Sequence, residues 1–317
     1  MAYSLNDKMV IGVSSRALFD LQAENEIFER EGVEAYCRYQ VEHENEPLKP
    51  GPGFSLIQAL LQLGGKGKGS EPVEVIVMSR NNPDTSLRVF NSIRHYGLPI
   101  TRAVLSGGAS LAPYLEAFGT DLFLSACEED VQCAVDCGIA AGILCTRPPV
   151  EKVLPFHNDG QIRIAFDGDA VLFAEDSEWI FKERGLKAFE ENEEQNAASP
   201  LGDGPFANFL RKLSALQGQY EPQVCPIRTA LVTSRSAPAH ERVIRTLRSW
   251  NVRVDEAFFL GGVEKREVLR AFGAQIFFDD QSVHTQNAAQ AVPAARVPYR
   301  SKKRENREYE VFQDRTG

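Results

Sequence analysis

No apolar run in the 317-residue chain approaches the roughly 18 residues that a membrane span requires, so no membrane partner is expected. The opening stretch, MAYSLNDKMVIGV, lacks the basic region and long apolar core of a secretory signal. The six cysteines include no CxxC pair, and Cys133 and Cys137 are separated by three residues. Zinc spacing is therefore missing, and reduced core thiols in a cytoplasm are the expectation. The five histidines, from His43 to His284, are scattered and suggest no metal cluster. A basic excess is missing too: the net charge of -9 argues against nucleic-acid polymers as partners. It leaves room for a small phosphorylated ligand held by local groups. The run Gly64-Gly65-Lys66-Gly67-Lys68-Gly69-Ser70 looks like a phosphate loop but lacks the Gly-Lys-Ser/Thr ending, and reads as a flexible connection.

What the chain does have centres on one stretch, Ile162 to Phe173, with the sequence IRIAFDGDAVLF. A β-branched and aromatic run ends at Asp167, and Gly168 allows a sharp turn there. Side chains at i and i+2 of an extended backbone point the same way, so Asp167 and Asp169 face one site beyond the carboxyl end of a strand. Open α/β sheets hold their ligands there. Two carboxylates so close repel unless a proton or a cation sits between them, and Mg²⁺ suits carboxylate oxygens plus a phosphate. An Asp-Gly turn capped by a second aspartate explains the same residues without chemistry.

Two later stretches extend the pattern. Thr229-Ala230-Leu231-Val232-Thr233-Ser234-Arg235 is a buried-type strand ending in hydroxyls. Gln275-Ile276-Phe277-Phe278-Asp279-Asp280-Gln281 ends in paired carboxylates, and Gly261-Gly262-Val263-Glu264-Lys265 lies between them at the start of a helical pattern. The order strand-DxD, strand-Thr, Lys, strand-DD resembles the haloacid dehalogenase (HAD) superfamily of phosphoryl-transfer enzymes. The segments FDGDAVLF, CPIRTALVTSRSA, LRSWNVRVDEAFFLGG and IFFDDQ, with YCRYQVEHENEPLKPGPGF near the N-terminus, are similar to the cytosolic 5′-nucleotidase type I family. The similarity runs from about Val10 to about Tyr299. It implies Mg²⁺-dependent hydrolysis of nucleoside 5′-monophosphates in the cytoplasm, and a possible homo-oligomer.

The chain also repeats itself. Val10 to Leu18 lies over Arg163 to Val171 at an offset of 153 residues (167 − 14), and the register runs ungapped into Leu56-Ile57-Leu60-Leu63 over Phe209-Leu210-Leu213-Leu216. After small insertions Val77-Met78-Ser79-Arg80 matches Val232-Thr233-Ser234-Arg235, and Gly107-Gly108 matches Gly261-Gly262. The expected fold is α/β: two tandem HAD-like, Rossmann-type units with inserted helical caps. The first unit covers residues 1–153. The second covers 154–300, with a cap at about 174–225, and a charged tail follows at 301–317. The halves meet near Thr146-Arg147-Pro148-Pro149. In the first copy Ser14, Arg16, Leu111, Ser125 and Ala126 stand where the second has Asp167, Asp169, Lys265, Asp279 and Asp280. That copy lacks the acidic pairs; Arg16 and Arg80 offer an anion site, and a degenerate scaffold is the other reading.

The resemblance implies roles in the second half. Asp167 is the nucleophile and a metal ligand. Asp169 is the general acid and base, and its main-chain carbonyl also binds metal. Asp279 completes the metal shell; Asp280 is a second ligand or orients one through a water. Thr233 and Lys265 hold the transferring phosphoryl group. Ser234 and Arg235 follow Thr233 and lie near the phosphate; Arg235 either binds it or pairs with an acid. Phe206 is a candidate wall for the base and equally a core residue. The acidic run Glu190-Glu191-Asn192-Glu193-Glu194 reads as a solvated helix end. A phosphatase for another small metabolite and a non-catalytic nucleotide sensor are the alternatives.

Overall fold

A computed structural model describes residues 4–63, 71–145 and 160–301. The glycine-rich run at 64–70, the proline pair at 148–149, the expected boundary at 153/154 and the tail from 302 lie outside the described residues.

Twelve strands are present among the described residues: β1 (Met9–Val13), β2 (Phe19–Asp20), β3 (Lys49–Pro50), β4 (Val73–Ser79), β5 (Arg102–Leu105), β6 (Leu122–Ser125), β7 (Ala140–Leu144), β8 (Ile162–Phe166), β9 (Ile227–Thr233), β10 (Glu256–Phe259), β11 (Ile276–Asp279) and β12 (Ala294–Arg296). Ten of them form one sheet in the order β10-β9-β8-β11-β12-β7-β6-β1-β4-β5. Every neighbouring pair is parallel except β7 with β12. β1 is buried at every position and apolar throughout, because helices cover both faces of a parallel sheet, and β4 is equally buried with Glu74 as its one charged residue. The order outward from the antiparallel joint is β7-β6-β1-β4-β5 on one side and β12-β11-β8-β9-β10 on the other, so the strands follow the same sequential pattern in each half. At the joint the backbones approach closely: a Cβ on Gly142 would come within 2.9 Å of the Ala295 Cβ.

Strand alternation sorts the core onto two faces. Met9, Ile11 and Val13 of β1 share a cluster with Ile162, Ile164 and Phe166 of β8, and that cluster runs through both halves. On the opposite face each half has its own: Val10, Ile76 and Phe123 in one, Ala165, Val232 and Phe277 in the other. The helix Ala207–Gln217 buries Phe209, Leu210, Leu213 and Leu216 in the shared cluster. The expected cap at 174–225 thus contains a helix of the sheet's own core layer. Lys212 of that helix reaches across to Asp121 at 2.6 Å.

The segments inserted after β1 and β8 are helical. The helices Gln22–Glu31 and Val33–Glu42 turn at Gly32 (φ 86°), and the helix Asp176–Gln195 breaks at Gly185 (φ 79°). Both breaks need the left-handed region that glycine enters without strain, and the two positions are 153 residues apart.

The strand ladders correct one detail of the repeat. Val13 pairs with Val77, and Phe166 with Leu231. Ser79 therefore corresponds to Thr233, Arg80 to Ser234 and Asn81 to Arg235, one residue away from the match of Arg80 to Arg235. Hydrogen bonds agree: Asn81 N donates to Ser79 Oγ and Arg235 N to Thr233 Oγ1, each at 3.2 Å. Both segments contain a Ser-Arg pair, Ser79-Arg80 and Ser234-Arg235, but the ladder sets these pairs one residue out of register.

Candidate active site

Three parallel strands end side by side and present their terminal residues together. Asp167 follows β8, with its backbone N–H donating to Phe278 O at 2.8 Å. Asp279 ends β11, Asp280 comes next, and Thr233 ends β9. Lys265 is the first residue of the helix Lys265–Phe272. Its ammonium donates to Asp167 Oδ1 at 2.7 Å and to Asp279 Oδ2 at 2.6 Å. Lys265, Asp167 and Asp279 are all buried. One oxygen from each of Asp167, Asp279 and Asp280 lies within 4.8 Å of the others.

The electrostatics of this group follow from burial and charge. Burial, with the charges of Asp279 and Asp169 added, pushes Asp167 well above the usual carboxylate range although Lys265 opposes it. Against the cost of burial, His284 and Lys265 hold Asp279 low; His284 Nδ1 lies 3.3 Å from Asp279 Oδ2. Despite its own burial, Lys265 is held above the ordinary lysine range by Asp167 and Asp279. Burial pushes Asp280 up to about 6, while the Tyr299 hydroxyl, in contact with Asp280 Oδ2, works the other way. Asp280 Oδ1 is buried and has no hydrogen-bond partner among the described residues. Three carboxylates thus face a single ammonium, and one buried oxygen is left over. Hard oxygen donors in excess of nearby positive charge suit a divalent cation such as Mg²⁺.

Thr233 closes one wall. A Cβ on Gly168 would sit 3.3 Å from Thr233 Oγ1, so glycine lets the hydroxyl approach the turn after Asp167. That oxygen accepts from Arg235 N and keeps its proton for an outside acceptor. The next residue, Ser234, is exposed.

Asp169 does not join the cluster. Arg235 donates to both of its oxygens, from Nε at 2.8 Å and from a terminal nitrogen at 2.6 Å. The same guanidinium contacts Glu193, which also accepts from Arg242 at 2.9 Å and from Ser177 Oγ at 2.7 Å. Of the two readings of Arg235, pairing with acids is the one the structure shows. Glu193 corrects the reading of the acidic run as solvated: its side chain is inaccessible. Burial raises its pKa, but Arg235, Ser177 and Arg242 outweigh this and bring it below the ordinary value.

Phe206 is not a base wall. It is 0% exposed, with its ring against Phe166, Phe209 and Phe278, and no face is open to a ligand. Five further residues matter that the motifs do not reveal: His284, Glu193 and Arg242, already described, and Glu178 and Tyr299. The Tyr299 hydroxyl lies 3.0 Å from Glu178 Oε2. His284, four residues after Asp280, is the one with a legible signal, since it opens toward the strand end from the first turn of the helix Ser282–Ala288.

Comparison with known proteins adds a family. The family model described as 5′-nucleotidase matches residues 1–304. The human protein named cytosolic 5′-nucleotidase 1B is 40% identical over 290 residues, which covers 88% of this chain and 47% of that protein. The chain therefore spans about half the length of that curated relative. No solved structure matches it. Among the described residues no helix is long and apolar enough to cross a membrane.

Proposed function

Because the chain belongs to the 5′-nucleotidase family, we propose that it hydrolyses nucleoside 5′-monophosphates to nucleoside and phosphate in the cytoplasm, using the strand-end cluster of its second half. The observation that carries this reading is Lys265 held between buried Asp167 and Asp279, with an unpartnered oxygen of Asp280 beside them. We also propose that the chain is two tandem HAD-like units with inserted helical caps. The matching strand order of the halves and the paired glycine breaks support it.

In this reading a carboxylate oxygen of Asp167 attacks phosphorus and forms an aspartyl-phosphate, and the bond to the ribose 5′-oxygen breaks. Asp169 gives a proton to that leaving oxygen and later takes one from the water that cleaves the acyl phosphate. Proton transfer there requires one of the two Arg235 contacts to open, so Arg235 orients Asp169 rather than the phosphate. Thr233 donates its hydroxyl proton to a phosphoryl oxygen. Lys265 places its ammonium between the nucleophile and the second acidic strand, where negative charge gathers during transfer. Asp167 and Asp279, the main-chain carbonyl of Asp169, and Asp280 directly or through water, would hold Mg²⁺, which offsets repulsion between nucleophile and phosphate.

Phosphate release from nucleoside 5′-monophosphates, sugar phosphates and other small esters, with and without Mg²⁺, tests the proposal. Release from nucleotides above all others is the expected result. Preference for a sugar phosphate would favour the metabolite phosphatase, and no release from any ester would favour a sensor.

A further inference from the structure

The first half contains a cavity of about 580 Å³ at its own strand ends, where the second half has its acidic cluster. Ser14, Ser79 and Ser125 line it, at the positions of Asp167, Thr233 and Asp279. Each of these hydroxyls accepts from a backbone N–H: Ser14 from Ala17 at 3.2 Å, Ser79 from Asn81 at 3.2 Å, Ser125 from Cys127 at 3.0 Å. The N–H of Gln281 spends itself on Asp279 in the same way. A carboxylate held so has only acceptors left, whereas a serine held so has a proton to give. Ser14 and Ser125 have no acceptor among the described residues. The substitutions therefore turn a floor that attracts cations into one that donates to anions.

Charge at the rim is reversed as well. Arg16 lines the cavity at the position of Asp169, is exposed, and makes no ion pair among the described residues. Where the second half has Arg235, the partner of Asp169, this half has not an arginine but Asn81, which donates to the Tyr36 hydroxyl at 3.0 Å. Arg80, the other candidate for an anion, is committed to Asp130 at 2.6 Å and Glu129 at 3.1 Å. Above the floor the inserted helices supply an apolar wall: Phe28 and Tyr36 meet edge to face at 6.0 Å, and Leu21 and Val33 extend it.

We propose that this cavity binds an aromatic anion without a metal and without hydrolysing it, with the phosphate on Arg16, Ser14 and Ser125 and the ring against Phe28 and Tyr36. The volume falls within the range of small-molecule sites. A base joined to one phosphate is the class that satisfies both ends. The choice of that probe rests on the nucleotidase reading; the site itself does not.

The test is calorimetric titration of AMP, IMP and UMP into the full chain carrying Asp167→Asn, in excess chelator, against the same chain with Arg16→Glu added. Adenosine and inorganic phosphate serve as the two halves of the ligand. Arg16 is exposed, so its substitution disturbs no packing, and an unchanged melting temperature confirms that. The expected result is a binding component that persists in chelator, weakens at least tenfold with Arg16→Glu, and is weaker for adenosine or phosphate alone. Phe28→Ala should weaken nucleotide but not phosphate. Identical isotherms with and without Arg16→Glu, or no binding in chelator, would overturn the proposal. Failure of the nucleotidase reading shows elsewhere, as absent phosphate release by the unsubstituted chain with Mg²⁺.

Discussion

The two halves share a strand order and differ in where they put charge. In the second half Arg235 joins Asp169 to Glu193, and Arg242 joins Glu193 from the other side. In the first half the corresponding places hold Asn81, Arg16 and Gln40, each different in charge from its counterpart. Arg88, which stands for Arg242, pairs instead with Glu24, which stands for Ser177, at 2.7 Å. Each half thus buries one arginine against an inserted-helix acid, on different helical positions. What the second half adds is the central group of three carboxylates and Lys265, for which the first half substitutes serines, Ala126 and the buried Leu111. The comparison teaches that a scaffold of strands tolerates complete exchange of its strand-end chemistry when partners change together. A lysine without its carboxylates, or a carboxylate without its lysine, is an unpaired buried charge.

The largest expected effect breaks the comparison at its centre. Asp167→Asn should lower phosphate release by several powers of ten, each about 1.4 kcal/mol of barrier, because an amide is a poor nucleophile of nearly the same shape. Retention of more than about a tenth of the activity would remove Asp167 from the nucleophile's role. Chelation should act on the same half alone: release stops, Mg²⁺ restores it, and Ca²⁺ restores it poorly because its longer, looser coordination misplaces the phosphate. Undiminished release in excess chelator contradicts the metal reading.

Next comes separation of the halves. Residues 154–317 expressed alone should be aggregated or poorly active. One face of their sheet packs in a cluster shared with Leu56, Ile57 and Leu60 of the first half, and exposing it leaves a large apolar patch. A soluble, fully active fragment would show that the first half neither buttresses the second nor touches its substrate.

A smaller effect probes the buried acid. Glu193→Gln, which copies Gln40 of the first half, should cost about 3–5 kcal/mol, since Arg235 and Arg242 lose a shared buried partner. The folded pKa of Glu193 lies below its ordinary value. Its contribution is therefore complete above the unfolded value of about 4.3 and fades as pH falls through the lower folded value. Thermal or urea melts should show the gap between parent and variant at neutral pH and its narrowing below about pH 4. A constant gap across that range would argue that the loss is one of shape rather than charge.

The smallest effect is an absence. Ser14→Asp should create no second hydrolytic centre, because Arg16 is free to pair with the new carboxylate and Ser125-Ala126 offer no acids. In a chain already carrying Asp167→Asn, any recovery of Mg²⁺-dependent release would show that one carboxylate suffices.

Much of this was legible in order along the chain. Asp167, Thr233, Lys265, Asp279 and Asp280 stand out because each follows an apolar strand or opens a helix, and a buried strand announces its end by the first polar residue. Glu193 was hidden, since an acidic run looks like a wetted helix end until two arginines from elsewhere are folded onto it. Tyr299 sits far from every motif and meets Asp280 and Glu178 only through the fold. Phe206 shows the converse: an aromatic beside Gly204-Pro205 fits a ligand wall as well as a core, and only packing separates the two.

The sequence by itself determined the α/β class, the family and the acids at the strand ends, because these depend on local periodicity and short spacings. Tertiary structure alone decided which charges are partners. Asp169 and Arg235 are 66 residues apart and Lys265 and Asp167 98 apart. An ion pair depends on distances of a few ångströms, which a ladder offset of one residue is enough to reassign, as Asn81 rather than Arg80 in the place of Arg235 demonstrates.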